Sequence, residues 1–508
     1  MSQAWVVGVA LLLGCGGDEF HGDAGPAERC GPTGGGPYWV LEGDPLEVTA
    51  SCETGLLVGG DDFDFEGLPD GARYDAATAT VSWTPRLDQA VMSDWAIRYG
   101  DEVGRVRVGV VDRWDDPENV PVVDSARYQE EYGLPVFHLT TDPGIAGDAY
   151  TPATLVHRAH TYEIEAKLRG ASSLSYPKHS FTLDFPPDDR FDEPRWDFEN
   201  EDRIVLVSTF DDNSYVRQRL AYTLWNLLDP QHLQVRSYSA VLFLDGEYHG
   251  LYSVVEHVDR HLAEDHGMSE DDVNIYMAVN HDANFRLTRS EDGAPKGDLA
   301  EGYEKKDGPL GFEDDYTDLV SLVEFVATTG DAEFATEIGS RVDLRDYEDW
   351  WIFVSFVDGQ DSAGKNSYLI HDQSFGPWRY APWDFNASFG QSWQTLRTGA
   401  DSHPDGLTWA NHLFERLLAL PEFGDPLRAR YGDTLRGPYE QGALLALFDE
   451  MIDEIHPSAL RDEAKWGEQY RTYDGWNWRD DFVGHEEEAA YTREWIEARW
   501  EFLEGIYR

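Results

Sequence analysis

The chain has 508 residues, 41% hydrophobic and 13% aromatic, enough apolar material for roughly two to four packed domains and too much for a disordered tail. Acidic residues number 97 against 40 basic ones, a formal net charge of −57. A surface of that sign repels phosphate backbones and anionic headgroups, which argues against nucleic-acid binding and against a polybasic membrane patch.

Residues 1–15 read as a signal peptide: an apolar run from Ala4 to Leu13, too short to span a bilayer, ends at Gly14-Cys15. Leu12-Leu13-Gly14-Cys15 resembles the bacterial lipobox, although no Lys or Arg precedes the run and Leu13 is large for its position. The resemblance implies a lipid on Cys15 that holds the protein to a bacterial membrane on the extracytoplasmic side. Residues 16–36, rich in Gly, Asp and Pro, are expected to be a flexible tether. The remaining cysteines, Cys30 and Cys52, are a candidate disulfide in an oxidising compartment; no cysteine lies downstream to build a thiol or zinc centre.

Residues 37–113 show short β-type runs broken by turns, among them Leu46 to Ala50, Thr80 to Trp83 and Val106 to Val110. Gly67-Leu68-Pro69-Asp70-Gly71-Ala72, followed by Ala76 to Pro85, resembles the immunoglobulin-like (cadherin-like) modules of bacterial surface proteins, which act as spacers or weak adhesins. Asp61-Asp62-Phe63-Asp64 is either a calcium-binding loop or, more simply, a solvated one.

Residues 114–508 mix helix and strand. Alternation predicts strands over Glu163 to Leu168 and His179 to Phe185. A helix is expected from Ser214 to Leu228, with Val216, Leu220, Leu224, Leu227 and Leu228 on one face and Asp212, Asn213 or Ser214 as its cap. Ala240 to Leu244 and Tyr248 to Val255 flank Asp245-Gly246-Glu247, a hairpin signal because Asp-Gly adopts positive φ at low cost. From Leu407 onward the pattern is mostly helical.

The chemistry concentrates in Asp361-Ser362-Ala363-Gly364-Lys365-Asn366 and in Pro382-Trp383-Asp384-Phe385-Asn386. Phosphoryl transfer needs a carboxylate near the attacking hydroxyl, and an amide plus a second carboxylate to hold Mg²⁺ against the ATP phosphates. Protein kinases supply these as Asp-x-x-x-x-Asn, then an Asp after a short hairpin. Asp361 and Asn366 have that offset, Ser367 to Ile370 and Trp378 to Ala381 read as the two strands, and Asp384 follows. The plainer alternative makes Asp361 and Asn366 turn caps and Asp384 a helix cap. Upstream, Arg169-Gly170-Ala171-Ser172-Ser173 is a Gly/Ser turn able to lay N–H groups on phosphate, and Lys178 on the next strand either reaches the phosphates or is a solvent-seeking strand lysine.

These stretches, with Asp211-Asp212, Ser214 and Arg217, Val241 to Tyr252 with Glu256, Tyr303 with Lys306, and Phe389-Gly390, resemble the successive signature blocks of the spore-coat protein H (CotH) kinase family. The resemblance implies an α+β, divergent protein-kinase-like fold that binds ATP and Mg²⁺ or Mn²⁺ and phosphorylates Ser or Thr of secreted or surface proteins. Lys178, with Arg169 and Ser172, would hold the phosphates, and Asp361 would be the catalytic or metal-facing acid. Asp384, Asn366 and Asn386 would lie at the metal, and Glu256 near the nucleotide. The family usually has a second acid where this chain has Asn386, which offers oxygen without charge. It also often has Arg-Asn where this chain has Arg217-Gln218.

Two other functions are compatible with the composition. One is a kinase-fold surface-binding protein without catalysis, suggested by the tether, the β domain and Asn386. The other is a glycoside-acting enzyme, suggested by abundant aromatics and carboxylates, though no acid pair stands out and regular βα alternation is missing. No Gly-x-Ser-x-Gly elbow occurs, and His157 and His160 lack a His-Glu-x-x-His frame.

Overall fold

The computed structural model describes residues 29–508 other than 117, 119, 123, 142, 143, 270, 375, 477 and 478. The expected signal peptide, Cys15 and the first part of the tether lie outside the described residues. The chain divides into two units. One comprises residues up to Tyr38, Pro45–Thr84 and Asp94–Val108; the other comprises Trp39–Asp44, Pro85–Ser93 and Gly109–Arg508.

In the smaller unit, Leu46–Thr49 pairs with Thr80–Trp83, which pairs with Arg73–Asp75, and Phe63–Glu66 pairs with the strand Val91–Tyr99, all antiparallel. The period of two is visible in Leu46 and Val48, buried, against Glu47 and Thr49, exposed. Trp83 and Trp95 meet edge to face at 5.9 Å in its core. Cys30 and Cys52 are joined by a disulfide. In the acidic run, Asp62 accepts the N–H of Gly59 at 3.0 Å and Phe63 turns inward as a strand begins.

The larger unit is α+β. Its first strands are β1 (Leu134–Thr141), β2 (Thr151–His157), β3 (His160–Arg169), β4 (Ser180–Asp184), β5 (Arg203–Val207), β6 (Ser237–Leu244) and β7 (Glu247–Glu256). They bond in the order β1-β2-β3-β4-β5-β7-β6, and β6 then pairs in parallel with β1, Val136 opposite Val241 and Leu139 opposite Leu244. The sheet therefore closes into a barrel, which removes its free edges. Alternate side chains fill the interior, among them Leu139, Leu155, Ile164, Phe181, Leu183, Leu206, Leu242 and Val254. Val136, Val205, Val241, Phe243, Leu251 and Val255 point the other way into the main core. This two-sided burial explains why Ala240 to Leu244 is continuously apolar. Asp245 and Gly246, at φ 52° and 86°, make the expected tight turn between β6 and β7.

Helix α1 (Arg217–Leu228) begins later than its apolar pattern predicts. The Asp212 carboxylate accepts the N–H groups of Ser214 (2.9 Å) and Arg217 (3.0 Å), holding residues 212–216 in a turn. Leu220, Leu224 and Leu228 are buried as expected, whereas Leu227 is 47% exposed because it falls on the adjacent flank. A second antiparallel sheet contains β8 (Val273–Ala278), β9 (Tyr303–Asp307), β10 (Ser367–Asp372) and β11 (Arg379–Pro382) in the order β9-β8-β10-β11. Helix α2 (Leu344–Phe356), capped by Asp343, buries Trp350, Trp351 and Phe353 and leads to Asp361. The C-terminal region is helical, with α3 (Gln441–Thr472) and α4 (His485–Tyr507) the longest. Among the described residues no helix is long and apolar enough to cross a membrane.

A buried ion pair helps tie α3 to the barrel, beside the bonds of Lys465 to the Tyr248 carbonyl and of Trp466 Nε1 to the His249 carbonyl. Nζ of Lys178, just before β4, lies 2.6 Å from Oδ2 of Asp462 on α3 and 2.6 Å from the carbonyl of Leu251 on β7. The same carboxylate oxygen accepts the N–H of Leu251 at 2.6 Å. Gly250 makes room: a Cβ there would fall 2.3 Å from Asp462 Oδ2 and 2.8 Å from Lys178 Cε, at a φ of 146° that side chains avoid. Gly250→Ala is therefore expected to cost about 2–4 kcal/mol, read as a lower urea midpoint with an unchanged m-value.

Candidate active site

The hairpin β10–β11 collects the site. Ser367 pairs with Pro382, and the next residues outward, Asn366 and Trp383, are joined by a Trp383 N–H to Asn366 carbonyl bond of 3.2 Å. Asn366 and Asp384 both adopt left-handed backbone, φ 54° and 58°, a conformation that Asn and Asp tolerate better than most residues. Each side chain is thereby turned out of the strand at the open end of the hairpin.

Asn366 Nδ2 donates to Asp361 Oδ2 at 3.1 Å, so the Asp-x-x-x-x-Asn spacing closes on itself. Lys365 Nζ lies 3.0 Å and His281 Nε2 3.6 Å from Asp361 Oδ1. Burial alone would raise the Asp361 carboxyl, but His281 and Lys365 outweigh it and hold the group below the usual carboxylate range. Asp384 is exposed, with Arg169, Asp361 and Lys365 close enough to act on its charge. Desolvation raises its carboxyl; Arg169 pulls the other way, Asp361 adds to the rise, and Lys365 opposes it. The Asp384 N–H donates to Tyr222 Oη of α1 at 3.2 Å. Arg169, at the end of β3, lies 4.7 Å over the Trp383 ring.

Asp211, in the turn between β5 and α1, joins this group. Asn386 Nδ2 donates to its Oδ2 at 2.5 Å, Tyr176 Oη donates to the same oxygen at 3.2 Å, and Gln391 Nε2 holds its carbonyl at 2.8 Å. Burial, then Asp384, then Asp212 push the Asp211 carboxyl up to about 7. Three acids thus lie in one region, although their ligand atoms do not all come within 4.8 Å of one another, and carboxylate oxygens are the donors that suit Mg²⁺ or Mn²⁺.

The structure unites Asp361, Asn366, Asp384, Asn386 and Arg169. Ser172 is exposed on the short turn Ser172–Ser175 that follows Arg169. Lys178 is placed differently: it is fully buried on Asp462, and the charged groups acting on Asp384 are Arg169, Asp361 and Lys365. Glu256 is engaged by Arg236, accepting its backbone N–H and its Nε, each at 2.9 Å, and so serves an internal ion pair. Asp211 and Lys365 stand within the sequence motifs without a distinct chemical role there, and Asp462 and His281 stand outside them. Their signals are weak, since Asp462 is 284 residues from the lysine it meets. Elsewhere, ligand atoms of Glu201, His261 and Asp265 lie within 4.8 Å of one another. Arg236 already sits among them, 3.6 Å from Glu201 and 2.9 Å from Asp265, and supplies the positive charge. A cavity of about 520 Å³ over β2, β3 and β4 is lined by Glu163, Glu165 and Asp184 and includes none of the site residues.

Residues 166–503 match the family model described as CotH kinase protein. Inner spore coat protein H of Bacillus subtilis (strain 168) is 25% identical over 345 residues, 66% of this chain and 91% of that protein. The matched region begins inside β3 and ends inside α4, so it contains every residue of the site described above.

Two measurements probe this geometry. Lys178→Met leaves the Asp462 charge buried and is expected to cost about 3–5 kcal/mol, most of it recovered in Lys178→Met/Asp462→Leu. The Asp211 carboxyl has a folded-state pKa of about 7, above the 3.8 of an ordinary Asp. The folded protein therefore holds a proton that the unfolded chain has lost between those values. Its contribution to stability is full below the lower value and declines as pH rises through the upper one. In EDTA, the wild-type Tm should fall across that window more steeply than that of Asp211→Asn.

Proposed function

Because the chain belongs to the CotH kinase protein family, we propose that it transfers the γ-phosphate of ATP to Ser or Thr hydroxyls of proteins outside the cytoplasm. The observation that carries the reading is the meeting of Asp361, Asn366 and Asp384 at the open end of one hairpin. A divalent cation bound there would neutralise the ATP phosphates and the charge that develops during transfer.

Asp361 is the group to accept the proton of the acceptor hydroxyl; its low pKa keeps it ionised and Asn366 fixes its orientation. Asp384, exposed at the end of the hairpin, would face the cation. Arg169, steadied on Trp383, supplies a fixed guanidinium for phosphate oxygens, and Lys365 is a second cation within reach. Lys178 acts through its pair with Asp462, much as protein kinases tie a strand lysine to a helix acid, and keeps α3 seated on the barrel. The fold of this unit is read accordingly as a divergent kinase-like one.

The rest of the chain supports an extracytoplasmic setting. A disulfide between Cys30 and Cys52 suits an oxidising compartment, and the expected lipid on Cys15 would hold the protein at a bacterial membrane. The β-only unit is read as an immunoglobulin-like spacer. A second reading, a surface-binding protein with a silent kinase fold, is favoured by one observation: position 386 carries an amide, which brings no charge to a cation.

Purified protein incubated with labelled Mg- or Mn-ATP separates the two. Incorporation of γ-phosphate into the protein itself or into casein is expected. Asp384→Ala should abolish it, and Asp361→Asn should lower it about 10²–10⁴-fold. Incorporation indifferent to Asp384→Ala would remove the site assignment, and none at all would favour the silent reading.

A further inference from the structure

Asn386 stands two residues beyond Asp384 and directs its amide nitrogen at Oδ2 of Asp211, 2.5 Å away. With the NH₂ end of this amide facing Asp211, its carbonyl end turns elsewhere, the arrangement that suits the ionised carboxylate a bound cation would favour. Asp211 itself comes from a distant part of the chain, 175 residues earlier, in a turn that is fixed without help from Asn386. Gln391 holds its carbonyl, and Asp212 beside it is locked by Ser214 and Arg217.

The surroundings of Asp211 differ from those of nearby buried acids. Asp212 and Glu488 share Arg217, each at 2.5 Å, and Asp462 has Lys178 at 2.6 Å. Asp211 is only 9% exposed, yet among the described residues no Lys, Arg or His forms an ion pair with it. Its side-chain donors, Asn386 and Tyr176, are neutral and both use Oδ2. Beyond its own amide, Oδ1 is left for a cation. A buried carboxylate without a positive partner, placed beside a second carboxylate, either keeps a proton or is stabilised in its ionised form by a metal ion.

We infer that Asp211 is the second charged ligand of the cation expected at Asp384, and that Asn386 is a positioning residue which aims Asp211 and is not itself a ligand. This assignment rests on the phosphoryl-transfer reading, which is what calls for a divalent ion here. A hard dication gains from each anionic oxygen, so the carboxylate delivered from the β5–α1 turn supplies the charge that an amide at position 386 lacks. The hydrogen bond between Asp211 and Asn386 makes the two positions exchangeable: moving the acid across it preserves the total charge of the site.

The full chain titrated with Mn²⁺ alone, with free Mn²⁺ followed by its EPR signal, tests this without any catalytic readout. Wild type is expected to bind and Asp384→Asn to lose binding. Asp211→Asn should weaken binding about tenfold or more, and Asp211→Asn/Asn386→Asp should recover most of that loss. Circular dichroism checks that each variant is folded. Should Asp211→Asn fail to fold, Asn386→Asp, which adds an acid and should bind Mn²⁺ more tightly, is compared with wild type and the double variant. Unchanged affinity in Asp211→Asn, with binding lost in Asp384→Asn, overturns the inference and leaves the phosphoryl-transfer site standing. A double variant no better than Asp211→Asn overturns the role given to Asn386. Wild type and Asp384→Asn that bind alike, or a wild type that does not bind, removes the cation site itself and the inference with it.

Discussion

A lysine and an aspartate sealed from water, Lys178 and Asp462, tie the barrel of the larger unit to its C-terminal helices. Taking both charges out of solvent is expensive, and the expense is offset only where geometry is good and the remaining donors and acceptors are met. Here they are met by the main chain of Leu251, whose carbonyl and amide serve the two sides of the pair. That triple contact, with the bonds of Lys465 and Trp466 to the main chain of β7, holds α3 in place, and Gly250 leaves room for it. Desolvation lowers the Lys178 pKa, and Asp462 is the group that opposes the shift, so neither charge is tolerable there without the other.

The same logic runs in reverse at the hairpin. Asp361 is balanced by His281 and Lys365, whereas Asp211 and Asp384 share a region in which acid outweighs base. Buried ion pairs such as Arg217 with Asp212 and Glu488, or Arg461 with Glu131, set base against acid, while Asp211 and Asp384 are left short of positive charge. The contrast separates residues that hold the fold from residues that await a ligand. Glu256 belongs to the first class, and the cation proposed above would place Asp211 in the second.

Much of this fold was legible in the sequence because its signals are local. Alternation marked β3 and β4; the runs flanking Asp245-Gly246 marked β6, β7 and their turn; and the order strand, turn, strand, Trp383-Asp384 marked the hairpin that carries the site. Barrel closure was not legible, since the parallel pairing of β1 with β6 joins residues a hundred positions apart and neither strand advertises its partner. The start of α1 was misjudged because Asp212 binds the amide of Arg217 from five residues back and draws the preceding turn out of the helix. Within the site, Asp361, Asn366 and Asp384 could be placed together because a short hairpin dictates their proximity. The fate of Lys178 depended on a helix nearly three hundred residues away, and no spacing rule reaches that far.

The closed barrel sets a limit on how the molecule can be shortened. The recognised family region starts within β3, but β1 and β2 complete the ring and β1 alone bridges back to β6. A polypeptide trimmed to that boundary would be left with naked hydrogen-bonding rims on β6 and on the remnant of β3, and with Phe181, Leu183 and Leu242 open to water. Such rims recruit strands from other molecules. The segment just upstream of the recognised region is therefore the lid of the fold's own interior, and losing it would turn a self-contained barrel into an adhesive sheet.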